Sequence, residues 1–246
     1  MTDAAGPVEP AHASLQRKPN GMLKFLRDLL IIFVAALLVS FLVKTFLIRS
    51  FYIPSGSMMN TLMVNDRVVV NELTPKITPL HRGDVIVFKD PGGWLANESP
   101  TTEQSTNPLM AGFKQALSSV GLASQDGNNH LIKRVIGLPG DKIECCNSLG
   151  QLSVNGVPLD EPYINVPAGK PSDAYEYSVT VPKNKLWVLG DNRYFSEDSA
   201  AHNAAGDPVV FVPEDDVVGR AFVLSWPISR WTTLSDYPDV FKGTSK

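Results

Sequence analysis

Between Leu29 and Ile48 the chain reads LLIIFVAALLVSFLVKTFLI, a mostly apolar run broken by one charge, Lys44. Twenty helical residues rise about 30 Å, the thickness of a bilayer's hydrocarbon core. The run therefore predicts a single transmembrane helix. Lys44 lies one turn from its end, where an ammonium can reach the headgroups. At the other end Lys24 and Asp28 have the i, i+4 spacing of an ion pair. A cleaved secretory leader has a shorter apolar core, about 7–15 residues, and small residues at its cut site. Ile48-Arg49-Ser50-Phe51-Tyr52 offers no such site, and Phe51 and Tyr52 suit a membrane interface. The expectation is a retained anchor over residues 22–49. Arg17, Lys18, Lys24 and Arg27 precede the run, against Lys44 and Arg49 at its far end. That bias predicts a cytoplasmic N-terminus and an extracytoplasmic body at the cell membrane.

From Ser50 the periodicity changes from helical to extended. Short β-branched runs bounded by Gly, Pro and Asp predict strands at Arg67–Val70, Asp84–Phe88, Leu131–Ile136, Leu152–Val154, Val157–Leu159, Ser178–Val181, Leu186–Leu189 and Ala221–Ser225. Val154-Asn155-Gly156-Val157 is a two-residue hairpin signal. Few of these strands alternate with helical patterns, which argues against a doubly wound parallel sheet. The predicted fold class is mainly β: residues 50–246 form one domain, with a polar, turn-rich insertion at 91–129. Inside that insertion Leu109, Met110, Phe113, Ala116, Leu117 and Val120 recur at helical spacing and read as a helix packed on the β body. Residues 1–21, rich in Ala and Pro, read as a disordered cytoplasmic tail.

A chain of 246 residues can bury a sizeable core. Its net charge of −3 lacks the basic excess of a nucleic-acid binder, so no nucleic-acid partner is expected. The two cysteines, Cys145 and Cys146, are adjacent, and a bridge between neighbours needs unusual geometry; no disulfide framework is expected. The four histidines, His12, His81, His130 and His202, are scattered, and no Cys/His group has metal-ligand spacing.

The candidate chemistry lies in Pro54-Ser55-Gly56-Ser57-Met58-Met59. Ser57 is nine residues past the apolar run, within roughly 30 Å of its end even if fully extended. A serine hydroxyl is a weak nucleophile and needs a base. None of the histidines sits in a triad motif, there is no Gly-x-Ser-x-Gly elbow, and no serine begins an S-x-x-K pair. A distant lysine remains. Lys133 lies in the strand-like run Leu131-Ile132-Lys133-Arg134-Val135-Ile136, and strand period puts it on one face with Leu131 and Val135. Apolar neighbours disfavour an ammonium, and so suit a lysine to act as a base near neutral pH. The neighbouring Arg134 stays protonated and cannot do so. From the strand alone, the commoner reading of Lys133 is an exposed residue of an edge strand, since most lysines are exposed. Met58 and Met59 read as lipid-facing, pocket-lining or core residues.

Four blocks in order resemble the bacterial type I signal peptidases. Pro54-Ser55-Gly56-Ser57-Met58 with Thr61-Leu62 resembles the nucleophile block. Arg82-Gly83-Asp84-Val85-Ile86-Val87-Phe88 resembles the second block. Lys133-Arg134-Val135-Ile136-Gly137-Leu138-Pro139-Gly140-Asp141 resembles the general-base block. Gly190-Asp191-Asn192-Arg193 with Ser196 and Asp198-Ser199 resembles the last. Phe211-Val212-Pro213 and Val218-Gly219-Arg220-Ala221 continue the likeness. The single anchor and Trp226-Pro227-Ile228-Ser229-Arg230-Trp231 are more similar to the enzymes of high-GC Gram-positive bacteria. The resemblance implies a signal-peptidase-like β-barrel or sheet domain and a serine endopeptidase that needs no cofactor and no metal. It assigns Ser57 as nucleophile and Lys133 as general base. Ser55 and the Ser57 N–H form the oxyanion hole, and Ser196 orients the lysine. Asp191, Arg193 and Asp198 act as structural supports. The implied partners are signal-peptide-bearing preproteins, cut after small residues at −1 and −3, the lipid bilayer, and proximity to the secretion translocon.

Three positions depart from the family pattern. Asn60 stands where proline is usual, Tyr194-Phe195 replaces a more polar pair, and Ala200 stands where arginine is common, removing any ion pair from Asp198. Two other readings remain. Self-cleaving repressors of related fold use a similar Ser/Lys pair, but they carry a DNA-binding domain in place of an anchor. A catalytically silent, membrane-tethered β scaffold would also fit the departures.

Overall fold

The computed structural model describes residues 21–46, 48–95 and 129–245. The tail before residue 21 and the amphipathic stretch at 109–120 lie outside them. The chain divides into two compact units, Met1–Phe41 and Leu42–Lys246. Helix α1, Gly21–Phe46, carries Phe25, Leu30, Phe33 and Leu38 exposed. Among the described residues no helix is long and apolar enough to cross a membrane; the side chains of residues 23 and 41–46 are not among those described.

Ile48 and Arg49, read from the sequence as the end of the apolar run, instead open strand β1, Ile48–Tyr52. The strands that follow are β2 Arg67–Asn71, β3 Val85–Lys89, β4 His130–Gly137, β5 Lys142–Cys145, β6 Ser153–Val154, β7 Val157–Pro158, β8 Tyr177–Thr180 and β9 Lys185–Leu189. A short helix, α2 Ser199–Ala205, precedes β10 Val212–Pro213, β11 Val217–Trp226 and β12 Thr232–Thr233. The larger sheet runs β1-β2-β11-β3-β4-β9-β10 with β12 on β11, and the smaller runs β7-β6-β5-β8. All eight predicted strands lie within a residue or two of observed ones, except that β11 is longer. Strands β1, β5, β10 and β12 were not predicted. Strand β1 starts inside the stretch read as the end of the anchor, Lys142–Cys145 carries two charges in four residues, and the last two are two-residue ladders, so none stands out as a strand by period.

The hairpin signal is realised between β6 and β7, where Val154 pairs with Val157. Asn155 and Gly156 have φ of 53° and 83°, the two positive values that a type I′ turn requires. Phe51 is not an interface residue: it is buried with Ile53, Met58, Leu62, Val68, Val70, Val85 and Val87 in one of the apolar clusters. Cys145 and Cys146 are joined as a disulfide between neighbours, across a cis peptide.

Candidate active site

The chain leaves β1 through a loop closed at its base, where Ile53 N donates to Asp66 O and Asn65 N to Ile53 O, both at 2.9 Å. Within it Met58 and Leu62 are completely buried, and Leu62 N donates to Met58 O at 2.8 Å. This helical turn, pinned by two core side chains, fixes the residue just before it. Met58 is therefore a core residue rather than a lipid or pocket contact. Ser57 itself is 7% exposed.

The base candidate comes from the middle of the sheet. Strand β4 lies between β3 and β9, with Lys133 opposite Ile86 in the ladder. It is no edge strand, and Lys133 is 4% exposed. Lys133 Nζ donates to Ser57 Oγ at 2.8 Å, across 76 residues of sequence. If the amine is neutral, the same separation suits donation from the Ser57 hydroxyl to Nζ, the geometry a nucleophile and its base require. Ser55 Oγ lies 3.5 Å from Ser57 Oγ.

The loop after β9 closes on the same spot. Asn192 N donates to Ser57 O and its Nδ2 to Gly56 O, each at 3.0 Å. Asn192 thus clamps the peptide whose N–H belongs to Ser57. Gly190 is required by close approach: a Cβ there would meet Ser196 Oγ at 2.3 Å and Ser57 O at 2.5 Å. Ser196 Oγ is buried and has no hydrogen-bond partner among the described residues, so the contact expected between it and Lys133 is absent from this geometry. Ser196 is nevertheless packed against Gly190, next to the Ser57 backbone.

Asp191 and Arg134 form a fork-on-fork pair. Arg134 Nε and Nη2 donate to the two carboxylate oxygens at 2.8 and 2.7 Å, and neither side chain is exposed. Thr61 Oγ1, from the nucleophile loop, donates to the same carboxylate at 2.5 Å. Arg134 Nη1 also donates to Gly83 O at 2.7 Å, and the guanidinium lies 4.1 Å from the Tyr163 ring centre. Burial opposes its charge, but the Asp191 carboxylate outweighs this and raises its pKa. Arg193 donates to both Glu161 oxygens, at 3.0 and 2.5 Å, and to Gly190 O at 3.1 Å. Asp198 caps α2, accepting from Ala200 N and Ala201 N, and its other oxygen accepts from Gly190 N at 2.9 Å. The lost ion pair to position 200 is thus replaced by backbone partners, and Ala200 is buried.

Sequence reasoning missed Arg134 as the partner of Asp191, and missed Asn192, Thr61 and Glu161. A charged residue facing the other side of a buried strand was the available signal for Arg134; nothing local marks the others. Beneath the loop, Asp173 accepts from Tyr177 Oη at 2.8 Å. Burial and then the nearby Asp198 charge push its carboxyl up to about 7. Among the described residues no group of three or more His, Cys, Asp or Glu is placed to hold a metal ion.

The family described as signal peptidase, peptidase S26 matches residues 26–226. The chain is 39% identical over 187 residues to a probable signal peptidase I of Mycobacterium leprae, covering 68% of this chain and 63% of that protein. It is 38% identical over 223 residues to signal peptidase I of Mycobacterium tuberculosis H37Rv, covering 84% and 74%. Signal peptidase IB of Staphylococcus aureus N315 is 30% identical over 224 residues, covering 85% and 94%. A crystal structure of a signal peptidase I from Enterococcus faecalis V583 aligns with 57% of this chain and 95% of that one, at 25% identity and a TM-score of 0.36. With most of its length matched by the family and by these relatives, the chain belongs to the bacterial type I signal peptidases, a family of serine endopeptidases.

Proposed function

We propose that this protein is a membrane-anchored peptidase that removes signal peptides from exported preproteins through a Ser57/Lys133 dyad. The observation that carries the reading is the 2.8 Å contact between Lys133 Nζ and Ser57 Oγ, both residues being almost fully buried. Burial disfavours an ammonium, and a neutral amine beside a hydroxyl is a general base.

In the proposed reaction Ser57 Oγ attacks the scissile carbonyl carbon while its proton passes to Lys133 Nζ. The carbonyl electron pair moves to oxygen, met by the Ser57 N–H and the Ser55 hydroxyl. Each such donor is commonly worth about 3 kcal/mol in the transition state. Collapse breaks the C–N bond, and Lys133 returns its proton to the leaving amine of the mature chain. Water then loses a proton to Lys133 and attacks the acyl-Ser57 ester. The signal peptide leaves as a carboxylic acid and Ser57 is restored. Ser196 is packed beside Gly190, where its hydroxyl borders the Ser57 backbone, and Asp191, Arg193 and Asp198 hold the loop in place.

The anchor rests on the apolar run at 29–48, part of whose side chains lie outside those described. The exposed, all-round apolar surface of α1 supports a helix that is solvated by lipid. A substrate whose apolar core stays in the bilayer presents its cut site at the surface, within reach of a Ser57 tethered there. On this reading residues 50–246 form the catalytic domain outside the cytoplasm, near the point where exported chains emerge.

The test is cleavage of a purified preprotein by the full chain in detergent or lipid, with Ser57→Ala and Lys133→Ala beside it. Cleavage after a small-x-small sequence by the wild type alone is expected. Near-normal cleavage by either variant would overturn the dyad.

A further inference from the structure

Phe195 is 67% exposed, although it sits on the loop that clamps the nucleophile. Its backbone N–H donates to Asn192 O at 2.9 Å, so the turn that positions Asn192 against Gly56 and Ser57 also positions this ring. The neighbouring Tyr194 is turned away, its hydroxyl donating to Pro171 O at 3.3 Å and Asp173 O at 3.2 Å. Phe195 instead approaches Gly56. A Cβ built on Gly56 would lie 3.6 Å from Phe195 Cε1 and 3.0 Å from Met59 Sδ. An exposed phenyl ring and a half-buried thioether therefore flank the glycine one residue before the nucleophile. Folding leaves most of the phenyl surface in water, where contact with an apolar group gains free energy in proportion to the area covered.

We infer that Phe195, with Met59, forms an apolar lip that contacts a substrate side chain directly flanking the scissile bond. The inference rests on the assignment of Ser57 as nucleophile. Successive substrate residues are spaced about 3.3–3.6 Å apart in an extended chain, so a ring one residue from Ser57 reaches only the nearest positions. With −1 restricted to small residues, as the family resemblance implies, the positions left are −2 and +1. The lip selects an apolar side chain at one of them over an acidic or small polar one.

The experiment uses the full chain and a preprotein varied at −2 and +1 through Ala, Leu, Ser and Asp. The ratio of kcat/KM for Leu over Asp is measured for wild type, Phe195→Asn and Phe195→Leu, with Ser57→Ala as the control for cleavage that depends on Ser57. At one position the wild-type ratio should favour Leu, and Phe195→Asn should reduce it about tenfold, a normal penalty for losing a small apolar contact in a pocket. Phe195→Leu should restore most of it. A ratio unchanged in Phe195→Asn, with cleavage still dependent on Ser57, removes the inference and leaves the dyad intact. A uniform loss over all substrates that tracks weaker binding to lipid vesicles also overturns it, making the ring a membrane contact. Cleavage that persists in Ser57→Ala takes down the dyad and this inference together.

Discussion

Arg134 and Asp191 share two hydrogen bonds of 2.8 and 2.7 Å with no side-chain exposure on either partner. Lys133 is adjacent to one of them, and Thr61 of the nucleophile loop donates to the other. The pair thus joins the strand carrying the amine to both loops that hold Ser57. Removing one partner leaves the other charge buried and unmatched, which typically costs about 3–5 kcal/mol. Asp191→Asn should therefore lower the unfolding midpoint markedly in denaturant titration. Thr61→Val removes the hydroxyl that donates to Asp191 and accepts from Arg134 Nη2 at 3.4 Å but leaves the charged pair in place, so it should cost less, about 1.5–3 kcal/mol.

Gly190→Ala places a Cβ where Ser196 Oγ and Ser57 O already stand, at 2.3 and 2.5 Å. Either the loop or the nucleophile's backbone must shift. Because a displacement near 1 Å can cost about a hundredfold in rate, the expected result is a large fall in kcat with the chain still folded. Wild-type turnover in this variant would show that the backbone contact between Gly190 and Ser57 does not set the reactive geometry.

Restoring the family residues at two of the three departures, Asn60 and Ala200, should not improve the protein. Asn60 has φ of 93°, which proline cannot adopt, and its Nδ2 donates to Tyr163 O at 3.0 Å. Asn60→Pro should be destabilising by more than about 1 kcal/mol. Ala200 is buried in an apolar cluster with Leu189 and Trp187, so Ala200→Arg would force a guanidinium into it or push α2 outward. Thermal melting of both variants checks this; a raised midpoint for either would contradict the geometry.

Asp173 carries a carboxyl raised from 3.8 to about 7, by burial first and by the Asp198 charge second. Between those values the folded protein binds a proton that the unfolded chain has lost. Its contribution to stability is full below pH 4 and disappears as pH rises toward 7. Asp173→Asn removes this dependence. The variant's stability relative to wild type should climb between about pH 4 and 7, measured as unfolding midpoints across that range. A constant difference would mean that Asp173 is ionised throughout.

Cleavage should weaken as pH falls, because a protonated Lys133 cannot accept the Ser57 proton. A profile of kcat/KM that stays flat down to about pH 5 would exclude a lysine base.

The sequence alone marked eight of the strands, the Asn155-Gly156 hairpin and the mainly β class, because β-branched periodicity and turn chemistry act over a few residues. It also marked Ser57, through a Gly-containing turn beside an apolar run. The family resemblance then shifted Lys133, already a candidate from its strand, from a surface residue to the base, and brought in Ser55 and the 190–198 loop, which local pattern would have left as ordinary turn residues. Only the tertiary structure decided that β4 is interior, that Lys133 is buried against Ser57, and that Met58 and Phe51 belong to the core. It alone paired Arg134 with Asp191, set Asn192 on the nucleophile's peptide and placed Phe195 beside Gly56. These contacts link residues tens of positions apart, and nothing in a short window encodes which strand lies next to which. Burial and partner choice arise from the packing of the whole sheet, so they become legible only once that packing is complete.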